Sequence, residues 1–232
     1  KKLYKMITQK ISLLEKELTL EVGRYAQQAT AAVLGRMGDT LVHAAVTVGP
    51  ENNELSYLPL SVEYQEKLYA GGKIKGSRWV KREGRPSDES ILTARLIDRS
   101  IRPLFPKTLK REIQVVVTTL SVDGENDPDL PAMAAVATAM SLTGLPFDGP
   151  VGSVRVGLIP QENGKKDFIF NPTHKERQAS DLDLVVSGNH KGILMVEAGA
   201  NQVSEDTVLQ ALKSAQEQIL ILISGIEKIV QQ

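Results

Sequence analysis

The sequence predicts an α+β fold in which mixed or antiparallel sheets pack with helices and a long helix ends the chain. Three observations support this class. Helical and strand patterns alternate in groups rather than as strict strand–helix pairs, several strands are joined by hairpin turns, and the last segment has an apolar repeat of helical period. No linker rich in Gly, Ser or Pro divides the chain, so we expect a single domain over residues 1–232.

The composition limits the chemistry that the chain can support. It has no cysteine, which excludes disulfides and thiolate metal sites, and its three histidines show no metal-binding spacing. No apolar run approaches the roughly 18 residues that a membrane span needs, so we expect a soluble protein with no membrane partner. The chain starts on Lys1 and stops at Gln232 within an apolar helical pattern, which indicates a fragment of a longer protein.

The N-terminal third predicts strands. Residues 13–22 are a mixed apolar and charged segment, and the β-type runs 25–35 and 40–48 flank a turn in which Gly38 suits a positive φ. Residues 57–64 alternate with a period of two, and Pro59 within them predicts an edge strand or an irregular start.

A helix and a strand follow. Ser87 is a good N-cap for a helix that begins at Asp88 and ends between Arg99 and Arg102, because a proline comes next. Residues 113–122 are rich in β-branched side chains, which predicts a strand buried on both faces.

The second half of the chain predicts a helix and two hairpins. Residues 123–129 form a polar turn that is expected to cap a helix over residues 130–143. That helix is rich in alanine and therefore suited to close packing. The hairpins join residues 152–159 to 167–170 and residues 182–187 to 193–197.

The last helix begins after its N-cap Ser204 and carries one continuous apolar seam. Spacings of four and three relate Val208, Leu212, Ala215, Ile219, Leu222, Ile226 and Ile229. The seam predicts packing against the rest of the domain, with a coiled-coil partner as the alternative.

Positive charge is concentrated between Lys73 and Arg102. That stretch holds nine basic and four acidic residues, whereas the whole chain has 28 of each. Arg95, Arg99 and Arg102 recur at i, i+4 and i+7, which places them on one helix face. Like charges at this spacing repel by about 0.2–0.5 kcal/mol in isolated helices, so the row predicts either a bound anion such as phosphate or an internal salt-bridge network.

The segment before this helix combines one aromatic ring with several cations. Trp79 is followed by Lys81, Arg82 and Arg85. Base stacking on an aromatic side chain is worth roughly 1–3 kcal/mol, and nearby cations follow the phosphates, so the segment predicts binding of single-stranded nucleic acid. A place for Trp79 in the core or in a subunit interface is the alternative.

Motifs for catalysis are scarce. The chain lacks a phosphate-binding P-loop, a dinucleotide fingerprint and a serine-hydrolase elbow. Asp181 and Asp183 fall on one side of a predicted strand and would jointly hold a divalent ion, with an ordinary structural role as the alternative.

Several blocks of sequence occur in a specific order: VGRYAQQATAAVLGRMGDTLV, SVEYQEKLYAGGKI, KREGRPSDESILTARLIDRSIRPLFP, DPDLPAM, LTGLPFDGPVGSVRVG and SEDTVLQA. In this order they closely resemble the first ribonuclease PH-like core of the polynucleotide phosphorylase family. The resemblance extends over residues 20–212.

The resemblance implies a homotrimeric ring of longer subunits, each with two such cores, a helical domain that the last helix here would approach, and appended RNA-binding domains. It implies that single-stranded RNA threads the ring and is shortened from its 3′ end by inorganic phosphate to nucleoside diphosphates, reversibly. Mg²⁺ or Mn²⁺ would be bound outside this core. A bacterial cytoplasm is the expected location, with an organelle as the alternative, and other RNA-degradation proteins are expected partners.

The resemblance also assigns roles by position. Trp79 and Val80 fall at the channel constriction, where the family usually has two aromatic residues, and Lys81 and Arg82 form the basic pair beside them. Val80 leaves one ring for stacking. The remaining arginines along the family's RNA and phosphate path match Arg85, Arg95, Arg99, Arg102 and Arg155.

The resemblance places catalysis mainly in the second core, where two aspartates bind the metal. Asp181 matches one of them, but Lys175 occupies the position of the other, and the helix start at DPDLPAM lacks the family's phosphate-binding serines. We therefore expect this chain to guide RNA and assemble the ring, with Asp181 as the one catalytic candidate. The alternatives are a self-sufficient ribonuclease PH-type enzyme and a non-catalytic structural ring subunit.

Overall fold

The computed structural model describes residues 6–14, 16–52, 54–74, 76, 84–160 and 166–232. Within them, two sheets and four α-helices form the α+β architecture that the sequence predicts, with mixed and antiparallel sheets and a long C-terminal helix.

The first sheet has six strands in the order β1-β2-β3-β4-β6-β5. Its members are β1 (Ile7–Leu13), β2 (Lys16–Val22), β3 (Ala31–Met37), β4 (Thr40–Glu51), β5 (Leu60–Gln65) and β6 (Arg111–Ser121). Neighbouring strands are antiparallel except for β5, which runs parallel to β6 and lies at one edge, as the proline before it predicted.

The hairpin between β3 and β4 is confirmed, although its first strand starts later than predicted. Met37 pairs with Thr40 across the turn, and Gly38 has a φ of 60°, a conformation that glycine adopts without steric cost. The run that begins at residue 25 becomes a strand only at Ala31. Residues 13–22 contain the end of β1 and all of β2, which sequence reasoning did not recognise as a hairpin.

The prediction that β6 is buried on both faces is wrong. Its side chains alternate, with Ile113, Val115 and Val117 buried and Gln114 exposed on the opposite face. The strand therefore has one core face, because successive side chains of a strand point to opposite faces of the sheet.

The second sheet is antiparallel throughout, in the order β10-β9-β7-β8. Its strands are β7 (Gly152–Pro160), β8 (Lys166–Phe170), β9 (Leu182–Asn189) and β10 (Gly192–Ala200). Both predicted hairpins are present as strand pairs, and the turn between β7 and β8 falls outside the described residues.

The helices are α1 (Asp88–Ile101), α2 (Asp129–Leu142), α3 (His174–Gln178) and α4 (Glu205–Val230). The helix α2 packs on β3 and β4, and also against β7 and α4. Every residue from Asp129 to Met140 is buried, and a Cβ at Gly35 of β3 would collide with the carbonyl oxygen of Pro131. Glycine thus permits the close approach of strand and helix. No side chain of the preceding turn caps α2, contrary to expectation.

The long helix α4 packs on its own domain, as its seam predicted. Ser204 accepts a hydrogen bond from the backbone N–H of Thr207, and Ile219, Leu222 and Ile226 are fully buried. The helix contacts β1 of the first sheet and both β7 and β9 of the second. No helix in the described part of the chain has the length and hydropathy required of a membrane span.

Candidate nucleic-acid interface

The helix α1 presents the predicted arginines. Ser87 caps it by accepting a hydrogen bond from the backbone N–H of Ser90, and Asp88 and Glu89 place negative charge at its positive end. Leu96, Ile97 and Ile101 bury the opposite face. This packing turns Arg95, Arg99 and Arg102 toward solvent.

Arg102 is already engaged within the chain. Its guanidinium donates two hydrogen bonds to Asp98, at 2.6 and 2.9 Å, and another to the carbonyl oxygen of Leu60 at 3.0 Å. The hydrogen bonds that Arg102 donates to Asp98 raise the pKa of Arg102, although partial burial opposes this. Arg102 therefore ties α1 to the start of β5.

Arg99 and Arg95 are more available than Arg102 for binding an anion. Arg99 approaches Glu197 at 3.3 Å, with both side chains about half exposed, and such surface pairs contribute only about 0–1 kcal/mol. Arg95 is exposed and forms no ion pair with any other residue that the structure describes. The row thus offers two guanidinium groups, one helical turn apart, that an anion can reach.

Arg85 and Arg95 lie on adjoining surfaces. Arg85 is exposed and lines a groove of about 530 Å³ at the start of α1. Arg95 lines a second groove of about 430 Å³ between α1 and β5. Both grooves are bounded by Tyr64 and Ser90, so these two predicted residues line neighbouring grooves. Trp79, Lys81 and Arg82 lie outside the described residues.

Arg155 has a different environment from the arginine row. Its side chain is 6% exposed and donates to Asp129 Oδ2 at 2.5 Å and to Asp183 Oδ1 at 2.6 Å. Burial works against the charged guanidinium, but these two carboxylates and Asp127 outweigh it and raise the pKa of Arg155. Arg155 lines a cavity of about 650 Å³ on another side of α1, where its charge is neutralised.

The ionic cluster around Arg155 was not anticipated. Arg177 of α3 donates to Asp183 at 2.6 Å and to Asp127 at 3.0 Å, and His174 Nδ1 lies 3.1 Å from Asp127. These residues are far apart in sequence, and no sequence motif relates them. The only signal was the density of carboxylates in residues 123–129.

Asp181 is not arranged as a metal ligand. It accepts hydrogen bonds from Lys166 at 2.7 Å and from Asn201 at 3.4 Å, and Lys166 lowers its pKa. Asp183 is bound to two arginines, so the two aspartates do not share a vacant centre. No group of three or more acidic or histidine side chains within the described residues has the arrangement of a metal site. The described residues around Asp181 and Asp183 therefore do not fit a catalytic divalent ion.

Comparisons with known proteins agree with the fold and with the sequence blocks. The polyribonucleotide nucleotidyltransferase of Caldicellulosiruptor bescii is 46% identical over 232 residues, which are 100% of this chain and 32% of that protein. That of Trichodesmium erythraeum is 45% identical over 226 residues, 97% of this chain and 31% of that protein. The chain spans about a third of the length of the curated relatives that it matches.

The fold itself is shared more widely. The crystal structure of rice Rrp46 matches with a TM-score of 0.73 at 13% identity, over 93% of this chain and 94% of that one. The model of the 3′ exoribonuclease family, domain 1, matches residues 15–146, and that of domain 2 matches residues 149–218. The resemblance drawn from the sequence blocks is therefore confirmed, and the chain belongs to the 3′ exoribonuclease (ribonuclease PH) family.

Proposed function

We propose that this chain is the RNA-channel and ring-assembly core of a phosphorolytic 3′-to-5′ exoribonuclease, a polyribonucleotide nucleotidyltransferase. The longer protein would cleave single-stranded RNA with inorganic phosphate, releasing nucleoside diphosphates, and would run the reverse reaction as well. The names of the relatives and the two family matches support this reaction class.

One observation carries the RNA-binding part of the proposal. Arg95 and Arg99 project from α1 four residues apart, and neither is neutralised by a buried partner. Four residues of α-helix advance about 6 Å. Planar guanidinium groups at this spacing suit the oxygens of an extended phosphate backbone. Arg85 would extend this surface toward Trp79, Lys81 and Arg82, which we propose to stack bases and bind phosphates at the constriction.

The described residues also support a division of labour within the full protein. Asp181 is engaged by Lys166, Lys175 is exposed, and the first turn of α2 carries Asp129 rather than an anion-binding hydroxyl. We propose that Mg²⁺ or Mn²⁺ and the reacting phosphate bind outside this domain. Arg102 and Arg155 would then support the RNA path indirectly, by fixing α1 and the second sheet.

The decisive experiment replaces the two available arginines in the full-length protein. Arg95→Ala with Arg99→Ala should weaken single-stranded RNA binding at least tenfold and flatten its salt dependence, because phosphate contacts dominate both. Fluorescence anisotropy at several salt concentrations measures this. Lys213→Ala with Lys228→Ala on α4 removes the same charge elsewhere and should leave binding unchanged. Equal effects of the two double variants would refute the proposed path.

A self-sufficient ribonuclease PH-type enzyme is the second candidate, favoured by the presence of both family domains in this chain. Such an enzyme would release nucleoside diphosphates from RNA in a phosphate-dependent reaction when the chain is isolated. We expect no release from the isolated chain. In a purely structural ring subunit, by contrast, RNA would leave the fluorescence of Trp79 unchanged.

We further propose that the full protein forms a homotrimer and works with other RNA-degradation proteins in a bacterial cytoplasm, or in an organelle. The chain would contribute residues 1–232 as a single core, from which α4 leads toward a helical segment. Sedimentation of the full-length protein tests the trimer directly.

A further inference from the structure

Arg99 is paired with a carboxylate that comes from the second sheet. Its Nη1 donates a hydrogen bond of 3.3 Å to Oε2 of Glu197, which lies on β10 at one edge of that sheet. The two residues are 98 positions apart in the sequence. Their side chains are 50% and 55% exposed, so a phosphate can approach this contact from solvent.

The carboxylates nearest to this pair have other partners. Asp98, one residue before Arg99 on α1, accepts two hydrogen bonds from Arg102. The three aspartates of the neighbouring ionic cluster are bound by the two arginines of that cluster. Within the described part of the chain, Glu197 is therefore the one carboxylate that holds Arg99.

The pair between Arg99 and Glu197 can be displaced. It consists of one hydrogen bond between two exposed side chains, which leaves other N–H groups of the guanidinium unused. A phosphate of RNA can accept two parallel hydrogen bonds from a guanidinium. A phosphate and the Glu197 carboxylate would repel each other at the same guanidinium, because both are anions. RNA must therefore displace Glu197 before it can use Arg99 fully.

Arg95 differs from Arg99 in this respect. It is exposed and has no ion pair with another described residue, so it gives up no partner when it binds a phosphate. Arg99 exchanges one acceptor for another. When a strand advances along α1, Arg99 can return to Glu197 between successive phosphates, so its guanidinium is not left without an acceptor. Such an exchange weakens the binding of each phosphate and eases its release.

We propose that Glu197 competes with RNA for Arg99 and thereby sets how tightly the arginine row holds the strand. This inference rests on the proposed RNA path and adds to it a residue of the second sheet. Glu197 acts by holding Arg99 between phosphates and does not contact the RNA itself. Loss of its charge should therefore tighten RNA binding, whereas loss of a residue that binds RNA weakens it.

Glu197→Gln in the full-length protein tests the competition. Fluorescence anisotropy with a labelled oligoadenylate, in phosphate-free buffer at low salt, should show binding about threefold tighter than that of the parent. The affinity should also fall more steeply with salt, because Arg99 then makes a complete phosphate contact. Glu17→Gln is the matched control. It removes the acidic partner of another exposed pair, with Lys10, on a strand far from β5 in the first sheet, and should bind RNA as the parent does.

A double-mutant cycle with Arg99→Ala separates competition from a general effect of charge. Glu197→Gln should lose most of its effect when Arg99 is absent. The same gain with and without Arg99, or the same gain in Glu17→Gln, would show that only the total charge matters. Weaker binding by Glu197→Gln would show that Glu197 orients Arg99 for RNA.

Each of these last results overturns the competition and leaves the RNA path intact, provided that Arg99→Ala weakens binding. The path itself fails if Arg95→Ala with Arg99→Ala leaves RNA binding unchanged. The two failures are therefore distinguishable in one set of titrations.

Discussion

Asp123 organises the turn between β6 and α2. Its carboxylate accepts hydrogen bonds from the backbone N–H groups of Glu125 and Asn126, both at 2.8 Å, from the Asn126 amide at 2.7 Å and from the Thr40 hydroxyl at 3.0 Å. Desolvation opposes ionisation, but these hydrogen bonds together lower the pKa of Asp123 well below its ordinary value. The ionised form therefore stabilises the fold.

Asp123→Asn should lower the free energy of unfolding at pH 7 by about 1.5–3 kcal/mol, because hydrogen bonds to a charged acceptor are lost. The pKa is lower in the folded state, so the contribution is complete above the unfolded pKa of roughly 3.9 and declines as pH falls toward the folded value. Urea unfolding measures the free energy of unfolding of parent and variant at pH 7 and pH 3. The difference between them should be smaller at pH 3. Asp39→Asn changes an exposed carboxylate nearby, and its free energy of unfolding should stay close to that of the parent at both pH values.

Arg155 and Arg99 allow a buried and an exposed ion pair to be compared. Arg155→Met leaves three carboxylates without their shared cation and should cost about 3–5 kcal/mol. Arg99→Met breaks only a surface pair and should cost about 0–1 kcal/mol. Urea denaturation measures both. Similar costs for the two variants would mean that the Arg155 cluster contributes little to folding.

For single residues, the sequence predicts interactions with neighbours along the chain well and interactions with distant residues poorly. The N-cap roles of Ser87 and Ser204 follow from neighbouring residues, and both are confirmed. The spacing of the α1 arginines also predicts their common face. It cannot reveal that Arg102 reaches the backbone of β5, or that Arg155 meets aspartates 26 and 28 residues away, because chain folding alone brings those groups together.

Among the elements, α2 and β3 are the pair most sensitive to small changes in volume. Gly35→Ala should destabilise the fold by about 1–3 kcal/mol, because the added methyl group meets the backbone of α2 at Pro131 and only backbone displacement relieves it. Gly71→Ala has open space around its new Cβ and serves as the control. Thermal unfolding should give a lower Tm for the first variant alone.

The strands β1 and β2 were not predicted, for the same physical reason in both cases. Both β1 and β2 interleave polar or charged residues with apolar ones, and only one face of each is buried. Their apolar content resembles that of a loop until the neighbouring strand supplies pairing. The short α3 depends instead on a capping box between Thr173 and Glu176, which is too local to produce a helical apolar period.

For the whole molecule, α4 is a long helix that packs against both sheets. Leu222 packs in the same core cluster as the first sheet, whereas Ile219 and Ile223 belong to the cluster beneath the second. We therefore expect Leu222→Ala and Ile219→Ala each to cost about 2–5 kcal/mol and to speed hydrogen exchange in both sheets equally. Mass spectrometry of peptides from β3 and β9 reads the two sheets separately. Faster exchange confined to one sheet would show that they unfold independently.

The burial of α2 from Asp129 to Met140 has a consequence for synthesis of the protein. When residues up to about 150 have been made, the first sheet can already pair and α2 can dock on β3 and β4. The other side of α2 must wait for β7 and α4, which come later in the chain. A ribosome-bound intermediate would thus display an apolar, alanine-rich helix surface to the surrounding proteins. This interval is the stage at which the nascent chain should depend most on molecular chaperones.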